Sequence, residues 1–156
     1  MTGLDTNVLV RYLTQDDAVQ SARATRLIER ALSVRNRGLV SVVVLCELMW
    51  VLTSANAVHE RDLVSIVERL LGAKELQFEA PQLVRQALAI KTPSSAGLAD
   101  ILIGLSHRAQ GAAETVSFDK RAARLLLQGR DRVRELTVKQ CCIPARSPRH
   151  GFQRLD

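Results

Sequence analysis

Four acidic residues of this chain stand in apolar surroundings. They are Asp5 in Gly3-Leu4-Asp5-Thr6-Asn7-Val8-Leu9, Glu47 in Val44-Leu45-Cys46-Glu47-Leu48, Asp100 in Leu98-Ala99-Asp100-Ile101-Leu102, and Asp119 in Val116-Ser117-Phe118-Asp119-Lys120. Charges are seldom fully buried unless they are paired or hold a metal. Four acids flanked in this way therefore point to one electronegative pocket that needs a cation. Hard carboxylate oxygens without His or Cys partners select Mg²⁺ or Mn²⁺ over Zn²⁺. The chemistry such a pocket suits is metal-assisted phosphodiester hydrolysis. Asp5 is expected to be the central ligand, and Asp100 to complete the first metal site. Glu47 and Asp119 are expected to ligate directly or through water and to help position the attacking water. Thr6, Asn7 and Ser117 place polar groups beside these acids and are expected to orient them.

Each acid also has a simpler use. Asp119 before Lys120-Arg121-Ala122 suits a helix N-cap, and Asp100 suits a first helical turn, where a carboxylate meets free N–H groups. The recurrence of one acid per element end is what favours a site. Asp16 and Asp17 read as caps, and Glu29, Glu60, Asp62, Glu68 and Glu75 lack the apolar flanks and are expected to be solvated. His59, His107 and His150 show neither triad nor ligand spacing and read as surface or capping residues. Arg11 has two readings, a phosphate contact near the cleft or a pair with a neighbouring acid. Leu48 and Trp50 read as core or subunit-contact residues. Cys46, Cys141 and Cys142 form neither a disulfide framework nor a zinc pattern; Cys46 is expected to be a small buried hydrophobe.

These side chains need a frame, and hydrophobic periodicity supplies one. Strands are expected at 2–5, 39–40, 76–78, 115–118 and 133–136. Helices are expected from Thr6 as N-cap, from Asp16-Asp17, from Ser41 to near Asn56, from His59-Glu60-Arg61-Asp62 to Leu71, from Pro81 to Ile90, from Leu98 to Ala109, and from Asp119 to Leu127. Alternating strands and helices imply an α/β fold, a three-layer α/β/α arrangement around a central, mainly parallel sheet of four to five short strands. Asp5 and Asp119 then lie where strands end, and Glu47 and Asp100 in the first turns of helices. Strand C-termini and the helix starts that follow them share one edge of such a sheet. All four acids can therefore reach one cleft.

Composition bounds the class. With 156 residues, 47% hydrophobic and 24% charged, the chain reads as one ordinary globular domain that buries roughly 70% of its unfolded surface. No apolar run approaches the ~20 residues needed to cross a bilayer. The first seven residues already hold Asp5 and no basic segment, so no signal peptide is expected and the protein reads as cytoplasmic. A net charge of +6 favours a polyanionic partner. Four Lys or Arg and one Asp lie in 139–156, where the periodic pattern fails around Pro144 and Pro148. The expected division is a nuclease domain at 1–138 and a basic, disordered tail at 139–156.

The blocks Leu4-Asp5-Thr6-Asn7-Val8-Leu9, Ser41 with Glu47, Leu98-Ala99-Asp100 and Ser117-Phe118-Asp119-Lys120 together resemble the PIN-domain ribonucleases, specifically the VapC-type toxins of prokaryotic toxin–antitoxin pairs. The resemblance runs from Met1 to about Val138. It implies a PIN-like three-layer α/β/α fold, a Mg²⁺- or Mn²⁺-dependent endoribonuclease acting on RNA, and a homodimer with two acidic sites beside a shared groove. It also implies inhibition by a small VapB-like antitoxin whose C-terminal segment enters that groove. Ser117 stands where the family commonly has Thr, which retains the hydroxyl. Two other readings compete. One is a non-catalytic PIN-fold module that binds RNA or protein. The other is a phosphotransferase of the haloacid-dehalogenase class, which needs an acid where this chain has Asn7.

Overall fold

The computed structural model describes residues 1–91 and 94–122, with the backbone alone of 123 and 132–135. The first strand, β1 (Thr2–Gly3), delivers Asp5 to the start of helix α1 (Thr6–Thr14). Asp5, not Thr6, is the N-cap: its backbone is extended and its carboxylate accepts from the Asn7 N–H at 3.4 Å. Thr6 sits inside the helix, buried, with its hydroxyl used elsewhere. Two cap-competent residues in succession left that choice open in the sequence. Helix α2 (Ala18–Arg26) starts at Asp17, whose carboxylate accepts from the Val19 and Gln20 amides. It runs on into a π-helical turn at Leu27–Ala31, which sends both Ile28 and Leu32 into the core.

Strand β2 (Gly38–Val40) follows. Gly38 is there because a Cβ would stand 2.7 Å from Leu4 Cδ1 and 2.8 Å from Leu32 Cδ1. Helix α3 (Val42–Ser54) is capped by Ser41, whose Oγ accepts from the Val44 N–H at 3.2 Å. Glu47 is the sixth residue of this helix and so occupies its second turn, not the first turn expected, because with Ser41 as the cap residues 42–45 fill the first turn. Next come α4 (Glu60–Gly72), β3 (Leu76–Phe78), α5 (Pro81–Lys91) and α6 (Leu98–Ala109). The last described elements are β4 (Glu114–Ser117), α7 (Lys120–Ala123) and β5 (Arg132–Glu135). Residues 124–127 of the last expected helix, and the tail 139–156, lie outside the described residues.

All five strands pair in parallel, as an α/β fold built from strand–helix alternation requires. They form two ladders, β1-β2-β3 and β4-β5, where one continuous sheet was expected. Thr2 registers with Gly38 and Gly38 with Leu76, while Glu114 registers with Arg132. The short first strand explains the division: the Thr2 and Leu4 amides both bond to the β2 side, on Arg37 and Leu39 oxygens. Only Gly3 is left to face another neighbour.

The core gathers around α3, which packs against α1, α4 and α6. Leu45, Leu48, Met49 and Leu52 of α3 meet Leu9, Leu63, Val67, Ile101 and Leu102, all buried. The opposite face of α3 carries Val43, Glu47 and Trp50, spaced i, i+4, i+7 on one side of a helix. Val43 and Trp50 are 76% and 67% exposed, so Trp50 is not a core residue, whereas Leu48 is. Among the described residues no helix is long and apolar enough to cross a membrane.

A candidate carboxylate site

The junction of β1 and α1 holds the first pair of acids. Asp5 is exposed, and its carboxylate also accepts from Asn7 Nδ2 at 3.3 Å. The next side chain, Thr6, donates its hydroxyl to Glu47 Oε2. That single bond fixes the beginning of α1 against the second turn of α3, although 41 positions separate the two residues. Glu47 is therefore tied to the residue that follows Asp5.

The second pair is Asp100 with Asp119. Asp100 is the third residue of α6 and half-buried. The N–H of Gly97, the N-cap, bonds to it, the reach-back half of a capping box. Burial holds the Asp100 carboxyl above its ordinary value, and the charge of Asp119 adds to the rise; the Gly97 N–H and Arg121 oppose it. Asp119 leads into α7, with Oδ1 accepting from the Arg121 N–H at 2.7 Å and its own N–H donating to Ser117 Oγ at 3.0 Å. Its carboxyl lies below the usual range, chiefly because of the Arg121 N–H, with the Arg121 guanidinium 3.7 Å away.

Helix α3 borders both pairs. Cys46, half-buried in the same turn as Glu47, has its thiol pushed up by burial and then by the charge of Asp100. That turn thus offers Glu47 to Thr6 and Cys46 to Asp100. The donors are carboxylates flanked by hydroxyls and amides, a set whose chemistry fits a hard divalent cation. They stand as two pairs: among the described residues no group of three or more His, Cys, Asp or Glu is gathered as a metal cage. Two clefts of about 620 and 630 Å³ lie away from these acids.

Other sequence candidates take structural duties. Arg11 pairs with Asp16 at 2.6 Å and donates to Gln20, which selects its ion-pair reading. Asp17 is a cap, and His59 occupies the N-cap position of α4. His107 Nδ1 lies 3.1 Å from Thr115 Oγ1. His150, Cys141 and Cys142 lie outside the described residues. Glu60 is the residue that local reasoning underrated. Its side chain is exposed, yet it pairs with Lys91 at 3.2 Å and adds to the electrostatic load on Asp100. Its flanks carry no sign of this, because the partners lie 31 and 40 positions downstream.

Comparison with known families gives one match: the PIN domain model covers residues 4–125, a span containing all four carboxylates. No curated protein matches the chain.

Proposed function

Because the chain belongs to the PIN-domain family, a nuclease fold, we propose that it is a Mg²⁺- or Mn²⁺-dependent endoribonuclease serving as the toxin of a type II toxin–antitoxin module. The observation that carries this reading is the family match itself, which encloses Asp5, Glu47, Asp100 and Asp119 within one domain. These four residues are the proposed cation holders. A bound divalent cation supplies Lewis-acid activation of water and neutralisation of phosphate charge. The chain's own groups prepare the ground. Asn7 steers the Asp5 carboxylate, Thr6 holds Glu47, and Ser117 with the Arg121 amide sets Asp119. Exposed Lys120 and Arg121, directly after Asp119, offer cations to an RNA backbone.

The partners follow from the same reading: RNA as substrate, a VapB-like antitoxin as inhibitor, and a second copy of the chain. Support for the homodimer comes from the unpaired apolar face of α3 around Val43 and Trp50. The test is cleavage of RNA with Mg²⁺ or Mn²⁺, abolished by EDTA and by Asp5→Ala. Growth arrest on expression, relieved by co-expression of a VapB-like antitoxin, tests the toxin role. Undiminished cleavage by Asp5→Ala would overturn the mechanism. A non-catalytic RNA-binding module is favoured by one observation, that no three of His, Cys, Asp or Glu are gathered as a cage among the described residues. Tight RNA binding with no product under any metal would select it.

A further inference from the structure

Lys91, the last residue of α5, is a largely covered cation outside the constellation just described, with its side chain 11% exposed. A lysine so placed must be paired, and both of its partners lead to Asp100. The ammonium donates to the Ala96 carbonyl at 2.7 Å and meets Glu60 Oε2 at 3.2 Å. Ala96 is itself buried and immediately precedes Gly97, the N-cap whose N–H bonds Asp100. The other oxygen of Glu60 is turned the same way. A Cβ on Gly97 would lie 3.6 Å from Glu60 Oε1 and 2.8 Å from Asp100 Oδ2. One ammonium thus joins the start of α4, the end of α5 and the approach to α6.

We propose that Lys91 is a positioning residue for the carboxylate site: by gripping Ala96 and Glu60 it fixes where Asp100 stands relative to Asp119. This rests on the nuclease reading above. Without the ammonium, Glu60 and Asp100 would face each other with one fewer counter-charge, and the Ala96 carbonyl would be buried without its donor. Repulsion then drives Asp100 off its place, and the site loses cation affinity rather than RNA affinity.

The experiment compares parent, Lys91→Met, Lys91→Arg and Glu60→Gln by Mn²⁺ titration, read both as calorimetric binding and as RNA cleavage, with melting curves in EDTA. Lys91→Met is expected to raise the half-saturating Mn²⁺ concentration about tenfold, the loss typical when a ligand's supporting partner is removed, with KM for RNA unchanged. Lys91→Arg keeps charge and donors and is expected to stay near the parent, and so is Glu60→Gln, which removes the repelling carboxylate together with the need for its counter-charge. A purely structural role would lower the melting temperature and leave the titration of the folded protein where it was, which overturns the proposal. Should Lys91→Met fail to fold, Lys91→Gln, which keeps a donor for Ala96 but no charge, decides, and an unshifted titration there overturns it as well. If the parent neither binds Mn²⁺ nor cleaves RNA, the nuclease reading falls; if the parent does both and the variants match it, only the role of Lys91 falls.

Discussion

Asp5 has two separable duties, and Asn tells them apart. As an N-cap, Asn serves as well as Asp, whereas Ala costs about 0.5–1 kcal/mol. Asp5→Asn is therefore expected to melt like the parent while cleavage falls more than about 100-fold, beyond what loss of a merely orienting partner produces. Unchanged cleavage would leave Asp5 a cap alone. Asp100 yields a pH signature. Its folded carboxyl is held above the ordinary value of 3.8 by burial and by Asp119. Between those two values the native state binds more protons than the unfolded one, so stability falls as pH rises through the window. Asp100→Asn, which still accepts from Gly97, is expected to melt higher than the parent at neutral pH in EDTA, with the gain vanishing below pH 3.8. A gain that persists in acid would assign the effect to packing instead. For Asp119 the sign is reversed: its lowered carboxyl contributes stability above the ordinary range that is lost as acid protonates it.

The elements that carry these residues were largely legible in sequence. Leu76–Phe78 and Leu98–Ala109 have the expected bounds, because Gly or a polar cluster closes each apolar pattern. Pro81 begins α5, where its missing N–H does no harm. What local pattern could not supply were choices made by distant partners. Asp5 takes the cap because Thr6 is engaged by Glu47, and Glu60 is drawn to Lys91 from another helix. The sheet divides because a two-residue strand has few groups to share. The start of α6 offers a test at this scale. Gly97 has φ −63°, which any residue adopts, so Gly97→Ala brings no backbone strain and only a collision with Asp100. It is expected to weaken Mn²⁺-dependent cleavage well beyond any fall in melting temperature. In the centre of α3, Leu48→Ala removes a fully buried side chain and is expected to cost about 2–5 kcal/mol in chemical denaturation.

For the molecule entire, ligand linkage and self-association are the accessible tests. A cation that binds only the folded chain raises its melting temperature with concentration, so millimolar Mg²⁺ or Mn²⁺ is expected to stabilise the parent. The shift is expected to disappear in Asp5→Ala; equal shifts in both would place the cation elsewhere. Trp50→Glu puts a charge on the outward face of α3, and light scattering is expected to show dimers for the parent and monomers for the variant, with little change in melting. Among the described residues the buried core runs to Leu105 and takes in Ala122 of α7. Asp119 follows a separate two-stranded ladder, β4-β5, while Asp5 and Glu47 stand beside the three-stranded one. Because the two ladders share no strand, the opening of either one should by itself silence cleavage, and amide protons of residues 115–117 should trade with deuterium at a rate distinct from those of Gly38–Val40.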